Sequence, residues 1–251
     1  MKNTSTGQYS GSIASANSRI GNDYVTGYPV DGRVGQVRVY GSALNLSQIR
    51  QNFNFTKNDY PNGFNGAITG ASFLPSDVSF DFDGNDFVSV GDFPSGAELT
   101  LSIWVNPESS QVAYSNIIDY EHANDGGWVI QQNNTTNNQY YFALKDGSSY
   151  DGSSSYFTPT HSTWTHYVFT VDSAGNHVRY KNGTSEHTDT GWGGLNAGTK
   201  HHLNIGCWGG SNGTTRSRFF KGKISDVKIF DKTLTQAEVT AQYNIGYNGI
   251  G

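Results

Sequence analysis

The sequence predicts an all-β protein, an antiparallel jelly-roll sandwich closed by a short C-terminal helix and preceded by a partial copy of the same module. Three observations carry this. Short apolar runs recur at intervals of about 8 to 12 residues with turn signals between them. The composition is poor in charge (15%) and rich in aromatics (14%), with 31 glycines. Tyr and Phe therefore supply the area that a core must bury. Finally, the stretch from Gly222 to Asn244 changes period partway along. Ile224, Val227, Ile229 and Phe230 form a β-branched strand, whereas Leu234, Ala237, Val239 and Tyr243 fit one face of a helix. Thr235 and Glu238 make a capping box at its start.

That closing device occurs twice. Gly32 to Asn54 aligns on Gly222 to Asn244 without gaps, pairing Val37 with Val227, Tyr40 with Phe230 and Leu44 with Leu234. Asn45 and Gln48 stand where the second copy has Thr235 and Glu238. An internal repeat is the economical explanation. The boundaries that follow are a partial module over 1–57, a linker over 58–76, a complete module over 77–246 and a tail over 247–251. Too little chain precedes Gly32 to complete the first copy. Its strands would leave open edges, so another chain, the edge of the complete module or an upstream portion is expected to complete it.

In chain order, Phe80, Phe82, Phe87, Val88 and Val90 flank Asp83-Gly84-Asn85-Asp86, which reads as a hairpin. Leu99 to Val105 is a strand with Leu99, Leu101, Ile103 and Val105 on one face and Trp104 on the other. Strands at Ile117-Ile118 and Trp128 to Gln131 enclose DYEHANDGG, which reads as a polar loop. Tyr140 to Leu144 follows, then a Ser/Gly/Tyr loop. Trp164 to Val171 is the strongest central strand, and Asn182-Gly183 turns the next hairpin. Glycine-rich loops carry Trp192 and Trp208 on either side of His202 to Gly206.

Several function classes fall away. A net charge of −5 with scattered basic residues opposes a nucleic-acid surface. The single cysteine, Cys207, leaves no intrachain disulfide and no cysteine-based zinc site. There is no apolar run long enough to insert in a membrane, and the N-terminus lacks the apolar region of a secretory signal. The five glutamates, Glu98, Glu108, Glu121, Glu186 and Glu238, are dispersed. Asp119 and Glu121 would share one face of a strand, but DYEHANDGG reads as solvated loop, so the paired carboxylates of a glycosidase are not expected. His201 and His202 would point to opposite faces and cannot chelate together.

The segments at 78–93, 99–107, 164–183, 203–206 and 222–239 resemble, in order and spacing, the laminin G-like jelly rolls of the concanavalin A-like lectin and glucanase group. The ending at 46–57 and the Asn/Gly/Ser/Thr/Tyr-rich composition are similar to tandem copies of this module in structural proteins of marine bacteriophages. What the resemblance implies is a non-enzymatic virion surface protein, a decoration, spike or fibre component that binds carbohydrate. Its partners would be other virion proteins, identical chains and host-surface glycans, outside the cell after release. A purely architectural capsid or tail protein is the alternative, and a polysaccharide hydrolase ranks third. His166 matches a position that packs inside the sandwich.

Aromatic faces stack on sugar rings while amides and carboxylates hydrogen-bond their hydroxyls. Loop aromatics are therefore the candidate carbohydrate ligands: Trp192, Trp208, Tyr120 and Tyr150, with Asn124 and Asp125 beside them. Trp104, Trp128 and Trp164 are assigned to the core. The resemblance also implies a structural calcium, bound by an aspartate early in the closing strand. Ser225 stands at that position here, which leaves Asp83 and Asp226 as weak calcium candidates. No cofactor is required.

Overall fold

A computed structural model describes residues 66–74, 76–94, 96–122, 126–134, 138–146, 149–152, 155–193, 195, 200–210 and 215–250. The partial module over 1–57, its repeat at Gly32 to Asn54, and Asn124 and Asp125 lie outside these residues. Among the described residues the chain forms two antiparallel sheets and one helix.

The first sheet runs, edge to edge, β1 (Ala67–Thr69), β4 (Phe87–Pro94), β14 (Lys200–Ile205), β6 (Asn116–His122), β7 (Gly126–Gln132), β8 (Tyr140–Asp146) and β10 (Tyr156–Phe157), with β9 (Ser149–Asp151) also pairing β8. The second runs β13 (Thr184–Asp189), β12 (His177–Lys181), β11 (Thr165–Val171), β5 (Leu99–Pro107), β15 (Lys221–Phe230), β3 (Ser79–Asp83) and β2 (Ser72–Leu74). Consecutive hairpins such as β6-β7-β8 and β11-β12-β13 are joined to strands distant in sequence, β14 between β4 and β6 and β15 between β5 and β3, as in a jelly roll. Leu101, Ile103, Tyr120, Trp128, Phe142 and Phe169 fill the space between the layers. Ring pairs such as Phe142–Phe169, with centroids 4.9 Å apart, replace aliphatic contacts there.

Two local expectations change. β3 and β4 lie in different sheets, so Asp83-Gly84-Asn85-Asp86 is an arch between layers and not a hairpin. Alternation cannot separate the two, because the inward faces are the same in both. Within 58–76, expected to be linker, β1 pairs β4 and β2 pairs β3. The Asn182-Gly183 hairpin forms with both residues at positive φ, 50° and 79°, as a type I′ turn requires.

The capped ending forms as expected and runs further. Thr235 Oγ1 accepts the Glu238 amide at 3.3 Å, and Glu238 Oε2 accepts the Thr235 amide at 2.8 Å. Helix α1 (Gln236–Ile250) extends 15 residues, well past one and a half turns. Its inner face covers the outer surface of the second sheet, where Leu234 and Val239 pack on Val168 and Tyr180. Gly246 lets the helix continue across Trp104, since a Cβ there would lie 2.2 Å from the indole nitrogen. Trp104 stacks on His166 and on Tyr243, at 5.1 and 5.5 Å, and those two rings lie 5.9 Å from each other. His166 is therefore buried beneath the helix and not between the sheets. Its Nε2 meets Ser102 Oγ at 2.9 Å, and burial, helped by Lys228, pushes its pKa down to about 3.

Candidate functional site

With the helix over the second sheet, the outer face of the first sheet is the other broad surface, and its composition is unusual. Strand register places Ser89, Asn204, Asp119, Val129 and Ala143 in one row across β4, β14, β6, β7 and β8. A neighbouring row holds Glu121, Gly127, Lys145 and Tyr150. A third holds Asn116, Gln131, Tyr141 and Tyr156. Paired residues share a face. Tyr120 and Trp128 alternate inward, so Asp119 and Glu121 face outward.

The segment expected to be a polar loop is therefore largely strand, with β6 and β7 paired through Asp119↔Val129 and Tyr120↔Trp128. Gly127, at φ +117°, makes the sharp pairing feasible, because a Cβ would fall 2.0 Å from the Tyr120 carbonyl oxygen. With no side chain at Gly127, the row between Glu121 and Lys145 stays open. Tyr150 reaches through it and donates its hydroxyl to Glu121 Oε2 at 2.9 Å.

The connection from β14 to β15 supplies the other half. Gly206 donates to the Ile117 carbonyl and Asn116 to the Arg218 carbonyl, both at 2.9 Å, which lays this connection along β6. Trp208 and Ser217 exchange backbone hydrogen bonds at 2.9 and 3.3 Å. Trp208 thereby donates its indole N–H to Glu121 Oε1 at 2.6 Å. Both oxygens of one buried carboxylate thus hold an aromatic ring. The Arg218 guanidinium lies 4.2 Å from the Trp208 ring centre and 5.1 Å from that of Tyr114. Lys145 Nζ lies 5.5 Å from the Tyr150 ring centre.

Burial governs the ionisation of this face. Asp119 is fully buried, and desolvation with the neighbouring Glu121 charge raises its pKa well above the usual carboxylate range. Its Oδ2 accepts the Gly209 amide at 2.8 Å. Tyr150 is shifted upward by burial and by Glu121. Tyr141, which donates to Gln131 Oε1, is pushed up to about 12, chiefly by burial.

Of the residues expected from the sequence, Trp208 and Tyr150 come together through Glu121, and both are half-buried. Tyr120 does not join them; it is fully buried and stacks on Trp128 at 5.1 Å. Nor does Trp192, which is 7% exposed, stacks on His177 at 4.3 Å and donates to Asp189 at 3.0 Å. Glycines make its burial feasible. A Cβ at Gly152 would meet the Trp192 ring at 2.3 Å, and one at Gly175 the Trp192 carbonyl oxygen at 2.1 Å. Trp104 and Trp128 are core as expected, whereas Trp164 precedes β11 and is half-buried. Tyr114 and Lys145 had no motif to mark them, and Arg218 stood in the densest basic group, Arg216, Arg218, Lys221 and Lys223, which reads as a solvated loop. Asp119 and Glu121 did have the signal of i, i+2 spacing, but their polarity read as solvation.

The calcium candidates do not converge. Register pairs Asp83 with Lys221, which separates it from Asp226 by about 16 Å along β15. Asp226 is ion-paired to Lys228. Ser225 donates its hydroxyl to the Val78 carbonyl at 2.7 Å. Among the described residues no group of three His, Cys, Asp or Glu side chains could hold a metal ion. These residues do not fit a shared calcium site.

Comparison with known proteins agrees with the architecture. The domain 4 of AbnA, a GH43 extracellular arabinanase from Geobacillus stearothermophilus solved with arabinotriose, is 21% identical over 71% of this chain and 82% of its own, with a TM-score of 0.51. The binding domain of botulinum neurotoxin DC, solved with rat synaptotagmin II, is 19% identical over 73% of this chain and 48% of its own, with a TM-score of 0.56. A native heptameric SAP-like pentraxin from Limulus polyphemus is 17% identical over 67% and 82%, with a TM-score of 0.51. This chain spans about half the length of the neurotoxin binding domains it matches. At these identities the likeness is one of fold. No curated protein sequence matches the chain. Residues 82–240 match the laminin G-like model described as the concanavalin A-like lectin/glucanases superfamily, and the chain belongs to that family.

Proposed function

We propose that this chain is a non-enzymatic adhesion module that binds glycans on the outer face of its first sheet, through Trp208 and Tyr150. One observation carries the reading: Glu121 fixes both half-buried rings, by bonds of 2.6 and 2.9 Å from its two oxygens. A ring whose polar tip is already held loses little freedom when a sugar stacks on it, which favours affinity. The same two bonds speak against catalysis, since a carboxylate accepting from two fixed donors is poorly placed to act as nucleophile or acid. Support from similar folds comes from the arabinanase domain solved with arabinotriose. It comes also from a botulinum neurotoxin type C structure whose cell entry is described as dependent on two ganglioside molecules.

Placement on a virion surface belongs to the same proposal and rests on the resemblance of the ending at 46–57 and of the composition to tandem modules in structural proteins of marine bacteriophages. Glycan-array binding by the full chain tests the module. Binding that disappears in Trp208→Ala and in Tyr150→Ala is the expected result. Silence across the array would favour the purely architectural role, and turnover of any polysaccharide would overturn the non-enzymatic half. Mass spectrometry of purified phage particles tests the placement.

A further inference from the structure

The aromatic face carries its own electrostatic signature. Arg218 lies against two rings, Trp208 and Tyr114, and among the described residues its guanidinium forms no ion pair and donates no hydrogen bond. An arginine with neither is unusual on a half-buried surface, because desolvated N–H groups need acceptors. Lys145, over the Tyr150 ring, likewise has no ion pair among the described residues. The acceptors that would otherwise satisfy these cations are engaged elsewhere. Glu121 is occupied by Trp208 and Tyr150, and Asp119 takes the Gly209 amide. The site thus has two cations at its rim and a buried carboxylate whose oxygens both already accept.

We propose that Arg218 is an anion-recognition residue, and that the glycan bound here carries an acidic group, a carboxylate or a sulfate ester, which the guanidinium fork grips beside Trp208. This deepens the glycan-binding reading and depends on it. The rings hold the fork in place, so little side-chain entropy is lost when the anion arrives. Lys145 adds a point charge over the Tyr150 ring. The chain as a whole has a net charge of −5, so a polyanion is repelled at long range. Attraction must therefore be local.

The test measures full-chain affinity for polygalacturonate, for its methyl ester, for dextran sulfate and for a neutral glucan. Wild type is expected to prefer an acidic polymer. Arg218→Gln should weaken that binding about 10- to 100-fold, the size of a lost charge-assisted contact. Arg218→Lys, which keeps the charge but not the fork, should fall in between. Loss on methyl esterification assigns the carboxylate. Arg218-dependent binding confined to dextran sulfate assigns the sulfate. Equal affinity for charged and neutral polymers, or an acidic-polymer affinity unmoved in both variants, overturns the anion seat while leaving glycan binding intact. Should no polymer bind, the glycan reading fails first. In that case ¹⁵N NMR of the Arg218 side chain under acetate and sulfate decides separately, with saturable shifts upholding the seat and their absence refuting it.

Discussion

Trp208 donates its indole N–H to Glu121 across 2.6 Å, linking a connection after β14 to a strand more than eighty residues earlier. The opposite oxygen of the same carboxylate takes the Tyr150 hydroxyl at 2.9 Å. One side chain thereby sets the spacing of two rings that no local sequence feature could relate.

Removing that side chain should show both roles. Glu121→Ala leaves an indole N–H and a phenol hydroxyl without their acceptor and is expected to cost roughly 2 to 4 kcal/mol of stability. It should also weaken glycan binding. Urea unfolding reads the first effect and the Trp208 indole proton shift reads the loosened ring. An unchanged indole signal would mean that Glu121 does not position the ring.

The two loop tryptophans should separate cleanly. Trp192 is packed against His177 and Phe142, so Trp192→Ala is expected to cost about 3 to 5 kcal/mol while leaving the affinity of the folded fraction unchanged. Trp208→Ala should do the reverse, with a smaller stability loss and a large affinity loss. Parallel denaturation and binding curves check the pair. Equal losses of affinity would return Trp192 to the binding surface.

Acid should destabilise the fold through two buried histidines. Burial holds His166 and His177 at about 3 and about 4, against 6.5 for a free histidine. Below 6.5 the unfolded chain takes up protons that the folded chain refuses. Their contribution is thus complete above 6.5 and declines as pH falls toward the folded values, by about 1.4 kcal/mol per pH unit for each ring. Asp119 works in the opposite sense, because its raised pKa lets the folded chain keep a proton that the unfolded chain has released. Asp119→Asn should therefore stabilise the protein at neutral pH and steepen its loss in acid. Denaturation midpoints from pH 4 to 8 measure both slopes. A flat profile for Asp119→Asn would refute the buried neutral histidines.

The helix start offers a smaller check. Thr235→Ala removes the acceptor for the Glu238 amide and should cost about 1 kcal/mol, read by thermal melting. Thr235→Ser should restore most of it.

What could be read from the chain alone followed the reach of each signal. The Ile224 to Tyr243 ending was legible because strand period, capping box and helix period all lie within a few residues. The two faces of Leu99 to Val105 were legible for the same reason. Tyr120 was not, since its burial depends on Trp128 opposite it and on the sheet behind both. Trp192 was misplaced by a sound observation wrongly weighed. The glycines beside Trp192 read as an open loop, yet Gly152 and Gly175, distant in sequence, make room for its ring and its backbone respectively. Charged residues misled most at Asp119-Tyr120-Glu121. There, carboxylates face a crowded outer surface instead of water.

Helix α1 lies flat on the second sheet, with Gly246 close against Trp104. Whatever is joined after that helix leaves from the back of the sandwich, away from Trp208, Tyr150 and Arg218. A C-terminal tether to a bead or biosensor chip would hold the module with its aromatic side turned outward, whereas immobilisation through surface lysines would risk catching Lys145 and masking it.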